Sequence, residues 1–203
     1  MSELPPEVRR WLAALSSESS AERSDAAEAP PAVASSDEVV AALVPLLQDP
    51  IDVVRLCAAE TLGRYPGPQT VAALRAFVAS ETDPLAKAHG LSSLGLVGTS
   101  QDFSVLLSQT AEDRPAQIRI HALAGVYELV RRGVKHGLMA LLGNEAVDVR
   151  VSAAEALATV LEPRDDGDAV QRLEQCAERE VFEARREDIA AAIRRVTCVD
   201  DDQ

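Results

Sequence analysis

Apolar side chains recur along this chain at the three-to-four-residue spacing of helices, and the helical segments come in pairs. Between residues 4 and 15, Val8, Trp11, Leu12 and Leu15 share one side of a segment opened by Pro5 and Pro6, which predicts a short amphipathic helix over 1–15. The pattern lapses over 16–36, where Ser, Ala, Glu and Pro dominate and bulky apolar groups are almost absent. Such a segment buries too little surface to offset its ordering entropy, so it reads as a flexible linker. Its stretch 20–29 is compositionally able to become helical if something holds it.

From Asp37 onward the chain repeats itself five times. The second half of each copy carries a cation at Arg55, Lys87, Arg119, Arg150 and Arg186, spaced by 32, 32, 31 and 36 residues. Six positions before each cation stand Asp49, Glu81, Asp113, Asn144 and Glu180, and seven positions after it an apolar residue: Leu62, Leu94, Val126, Leu157 and Ile193. The first halves, over 38–48, 70–80, 102–110, 134–142 and 169–178, are helical by pattern as well. Breakers such as Asp49-Pro50, Pro66-Gly67-Pro68, Gly98, Pro115 and Gly143-Asn144 separate the segments, and the run 163–167 does the same. The prediction is ten antiparallel helices in five stacked pairs over 37–197, with an acidic tail at 198–203.

A pair of about 30 residues cannot bury its own apolar face, so each copy must stack on a neighbour. The acid and cation columns are therefore expected to be structural. The acid or amide caps the second helix, and the cation reaches carbonyls or carboxylates of the adjacent turn, which makes a ladder along one edge.

Composition narrows the classes of function. Hydrophobic residues make up 47% of the chain but aromatics only 3%, a mixture of Ala, Leu and Val that suits close-packed helices rather than sheets. A formal net charge of −13 repels phosphate backbones and anionic lipid, so neither nucleic acid nor a membrane is an expected partner, whereas a basic protein is. Cys57, Cys176 and Cys198 are unclustered, which predicts reduced thiols rather than a disulfide framework or a zinc site. No segment approaches 18 uninterrupted apolar residues and no apolar leader opens the chain, so a cytoplasmic location is expected.

The repeat resembles the HEAT-repeat family, in its short bacterial HEAT-like form, whose second helix follows a pattern close to D-P-x-x-x-V-R-x-x-A-A-x-A-L-G. Asp49-Pro50, Val54-Arg55, Ala58-Ala59 and Leu62-Gly63 match it, as do Val149-Arg150, Ala153-Ala154 and Ala156-Leu157. Lys87 and Tyr127 depart from it in the middle copies, and the fifth copy lacks the apolar residue before Arg186. The resemblance implies an all-α, right-handed α-solenoid of the armadillo/HEAT type, with its second helices lining a concave surface. Columns two, five and nine residues after the cation then face the groove, and from them the candidate partner-binding residues are Cys57, Glu60, Arg64, His89, Ser92, His121, Glu128, Ser152 and Glu155.

No catalytic, cofactor-binding or metal-binding set emerges. His89 and His121 occupy equivalent positions, but stacked helices about 8–10 Å apart hold such residues too loosely for shared coordination. Ser-His-Asp arrangements, Gly-rich phosphate loops and HExxH are missing. The repeated His-Glu dipeptides of HEAT-like di-iron hydroxylases are missing too, and so is the basic aromatic groove of HEAT-like DNA glycosylases. The lyases that attach bilins to phycobiliproteins share this short repeat and stand as the alternative. The expected function is non-enzymatic protein binding, as an adaptor, assembly factor or inhibitor.

Overall fold

The computed structural model describes residues 4–161 and 167–197. The described residues are all α-helix, 3-10 helix and loop, in two compact units of residues 1–129 and 130–203. Cys198 and the tail expected at 198–203 lie outside the described residues.

In the first unit α1 (Pro6–Leu15) begins with proline in its first turn, where the missing N–H is no loss. It buries Val8, Trp11 and Leu15, the face its spacing predicts. The next helix, α2 (Ser20–Glu28), corrects the expectation of a linker over 16–36. Ser19 caps it by accepting from the Glu22 amide, Ala27 is buried, and the Trp11 indole N–H donates to the Ala26 carbonyl at 2.7 Å. What holds this weakly amphipathic helix is thus tertiary. It packs on α1 and on α4, and the repeat array starts one pair earlier than Asp37.

Three further second helices follow. A capping box between Ser35 and Glu38 opens α3 (Ser36–Leu43), and Pro45 turns its continuation into a 3-10 segment, Val44–Gln48. Beyond the Asp49-Pro50 turn lies α4 (Asp52–Leu62). Helices α5 (Pro68–Ser80) and α6 (Pro84–Val97) both start with proline, and Asp83 caps α6 by accepting from the Leu85 and Ala86 amides. A 3-10 turn, Ser100–Asp102, leads into the short α7 (Phe103–Ser108). Consecutive second helices α2, α4 and α6 pack on one another, as in an α-solenoid. Approach is close because the contact residues are small. A Cβ on Gly95 would stand 2.2 Å from the Gly125 Cα, and one on Gly90 would stand 2.7 Å from the Phe77 ring.

The third copy departs from the expected ten helices. Its second helix and the first helix of the fourth copy form one helix, α8 (Ala116–Leu141), which runs through the boundary between the units. The other junctions carry Pro66–Pro68, Gly98-Thr99 or the run at 162–166. Residues 128–135 contain no proline, and a lone Gly133 costs a helix only about 1 kcal/mol relative to Ala.

The second unit contains α9 (Val147–Val160), α10 (Gly167–Arg179) and α11 (Glu183–Thr197), with α11 packed on both α9 and α10. Its core gathers Leu142, Leu157, Leu173, Ile189 and Val196. None of the described helices is long and apolar enough to cross a membrane.

Candidate functional site

The cation and acid columns build the edge that holds the second helices in place. Arg55 Nη1 donates to the carbonyls of Asp49 and Pro50 in its own turn, while Nε and Nη2 clasp both carboxylate oxygens of Glu81 in the next copy, at 2.6 and 2.9 Å. Arg150 repeats this with the Asn144 and Glu145 carbonyls and the Glu180 carboxylate. So does Arg23 on α2, with the Ser17 and Glu18 carbonyls and Asp49.

The acids do not cap the second helices as expected. Asp49 accepts from the Ile51 amide, Glu81 from Thr82 and Asp83, and Glu180 from Val181 and Phe182, so they brace the turns. Burial pushes the Glu81 carboxyl up, but the Arg55 guanidinium and the turn amides together hold it below its ordinary range. Asp49 is held low first by its hydrogen bond from Arg23, and Glu180 by that from Arg150.

Only the outer rungs form. Among the described residues no ion pair joins Lys87 to Asp113, and Asn144 has no carboxylate to offer its column. Arg119 Nε is buried without a hydrogen-bond partner. Sequence reasoning missed the Arg23 rung, although Arg23 stands 32 residues before Arg55 and so continues the spacing of the next two copies.

On the second helices of the first unit, the groove columns converge more closely than expected. Glu60 on α4 meets His89 on α6, with Oε2 and Nδ1 3.0 Å apart, and Ser92 Oγ on α6 meets His121 Nδ1 on α8 at 2.9 Å. The two imidazoles lie with centroids 4.9 Å apart and planes tilted by 37°. The rings come closer than the about 8–10 Å between stacked helix axes, because Gly95 and Gly125 bring α6 and α8 together just beyond them.

Burial lowers the His121 pKa, as does the neighbouring His89, against a smaller opposing pull from Glu60. A neutral His121 bonded to Ser92 is the favoured state. The partly buried Cys57 has its thiol pushed up, first by burial and then by the fields of Glu28, Glu60 and Asp25, which suits a packing residue rather than a nucleophile. Arg64 donates to the Glu28 carbonyl and to the Thr61 hydroxyl, so it pins α2 to α4.

Six of the nine candidates, Cys57, Glu60, Arg64, His89, Ser92 and His121, therefore lie together on α4 and the turn that follows it, on α6 and at the start of α8. Glu128 lies further along α8 and is half-buried, while Ser152 and Glu155 are exposed on α9 in the second unit. Two first-helix charges are structural. Glu38 belongs to the α3 capping box, and Arg75 clasps the buried Asp102 that closes the Thr99 turn. The arrangement offers polar and charged contacts without an activated nucleophile, since His121 has an imidazole rather than a carboxylate beside it.

No curated protein matches the chain. A family model described as HEAT repeats matches residues 8–95, from within α1 to within α6, and so includes the α1–α2 pair. The paired helices and the stacked second helices agree with this match, which shows HEAT repeats over residues 8–95.

Proposed function

We propose that the chain is a non-enzymatic protein-binding module, an adaptor, assembly factor or inhibitor, that takes a basic partner on the second-helix face. HEAT repeats generally mediate contacts between proteins, and the match over residues 8–95 is the observation that carries the reading. Two features of the face support it. Glu60, Glu28 and Asp25 are exposed carboxylates around the half-buried Cys57, in a chain of net charge −13. The packed edge leaves these carboxylates out of the Arg–acid rungs; Glu60 meets His89 across the face, and Glu28 and Asp25 stand beside it for a cation of a partner.

Aromatic anchors are scarce on the face, and affinity then depends on many polar contacts and on charge. The test is a titration of the purified partner against Glu60→Lys and Glu155→Lys, with Glu7→Lys on α1 and Glu174→Lys on α10 as first-helix controls. The second-helix pair is expected to weaken binding about tenfold or more, and raised salt to weaken the wild type. If the controls do the damage, or salt has no effect, the partner binds elsewhere.

A further inference from the structure

The second-helix face of the first unit carries an apolar strip beside its acidic one. Two positions before the cation stand Ala21, Val53 and Leu85, in the copies of Arg23, Arg55 and Lys87, each in the first turn of its helix. All three are exposed, Val53 at 45% and Leu85 at 47%. The core does not require their apolar character, because the next residue of each helix, Val54 and Ala86, is the one that is fully buried. Residues four apart on a helix lie on one side, so Val53 shares the face of Cys57, and Leu85 that of His89.

One to two turns further along the same helices stand the carboxylates, Asp25 and Glu28 on α2 and Glu60 on α4. They share one surface around Cys57, whose thiol feels the fields of all three. The helices α2, α4 and α6 pack side by side, so the apolar strip and the acidic strip run next to each other across them.

That layout selects the shape of what covers it. Packed helices stand about 8–10 Å apart, and residues seven apart on a helix are about 10.5 Å apart along its axis. A helix laid across α4 and α6 therefore sets apolar side chains at i and i+7 on Val53 and Leu85. An extended segment points alternate side chains to opposite faces, whereas an amphipathic helix presents an apolar stripe and a charged flank together. Three exposed carboxylates, in a chain of net charge −13, make that flank cationic.

We propose that a basic amphipathic helix of a partner lies across α2, α4 and α6, its apolar stripe on Val53 and Leu85 and a flank of Lys or Arg toward Asp25, Glu28 and Glu60. Resting on the protein-binding reading, this narrows the basic partner to one secondary structure.

Three peptides of about 18 residues, about 27 Å long as helices, serve as probes of the full chain by fluorescence anisotropy. One carries leucines at helical spacing with lysines along one flank, one has the same composition scrambled, and one has each lysine replaced by glutamate. The amphipathic basic peptide is expected to bind at least about tenfold more tightly than the scrambled one, and the acidic peptide not at all. Val53→Ser with Leu85→Ser removes apolar surface without adding charge and is expected to weaken the first peptide about tenfold or more, as is Glu60→Lys, while Glu174→Lys on α10 leaves it unchanged. Circular dichroism with thermal melting checks that each variant is folded. Equal binding of the basic and scrambled peptides, no binding of the basic one, or indifference to the serine substitutions in a folded variant overturns the helical partner. The protein-binding reading is tested separately, by the titration of the purified partner, and survives each of these failures.

Discussion

Leu91 on α6 and Leu123 on α8 are the same residue, 32 positions apart, in the same column of the repeat, yet one is fully buried and the other more than half exposed. The difference arises at the junctions that follow them. After α6 the chain meets Gly98 and the Thr99–Asp102 capping box, turns, and returns to lay another pair against Leu91. After Leu123 no breaker comes and the helix runs on to Leu141. Hydrophobic pattern decides which face is able to be buried, whereas turn chemistry decides where one helix ends and the next begins.

The largest expected effect tests that contrast directly. Leu91→Ala empties a closed site between helices and is expected to lower stability by about 3 kcal/mol, whereas Leu123→Ala in dilute solution changes it by about 0.5 kcal/mol or less. Urea unfolding of the two variants checks this, with equal losses showing that Leu123 is as covered as Leu91.

The ladder offers a second contrast between a formed and an unformed rung. Arg55→Met strands the Glu81 carboxylate, which is nearly buried beside it, and is expected to cost about 2–3 kcal/mol. Lys87→Met removes no ion pair to Asp113 and is expected to fall within about 0.5 kcal/mol. The same melts establish the order. The Arg55 rung also carries a pH signature. Because the folded Glu81 pKa is depressed, its contribution is present above the ordinary carboxylate pKa and is lost as pH falls through the folded value.

The smallest effect concerns the imidazole pair. The His121 pKa is lowered from its ordinary 6.5, so folding favours the neutral ring. Its stabilising contribution is present above pH 6.5 and is lost as pH falls through the depressed value. His121→Asn should flatten the stability profile between about pH 7 and 5 while leaving the acid limb set by Glu81 and Asp49 in place. A profile unchanged by the substitution removes His121 from the account.

Much of this fold is legible in the order of residues. Helical periodicity, the 32-residue spacing of Arg55, Lys87 and Arg119, and the Pro and Gly breakers determine that the chain is helical, paired and repetitive. The reason is that local propensity and patterning agree at nearly every position. Which residues share the second-helix face follows from the same register.

Two matters were decided only by tertiary packing. The segment 16–36 is too polar to order alone, and α2 exists because Trp11, Arg23 and Arg64 bind it to neighbours far away in sequence. His89 and His121 come together because a glycine pair lets two helices approach, a distance that spacing along one chain does not contain. The run 128–135 stays helical within α8 because it contains no proline and its one glycine costs a helix only about 1 kcal/mol relative to Ala.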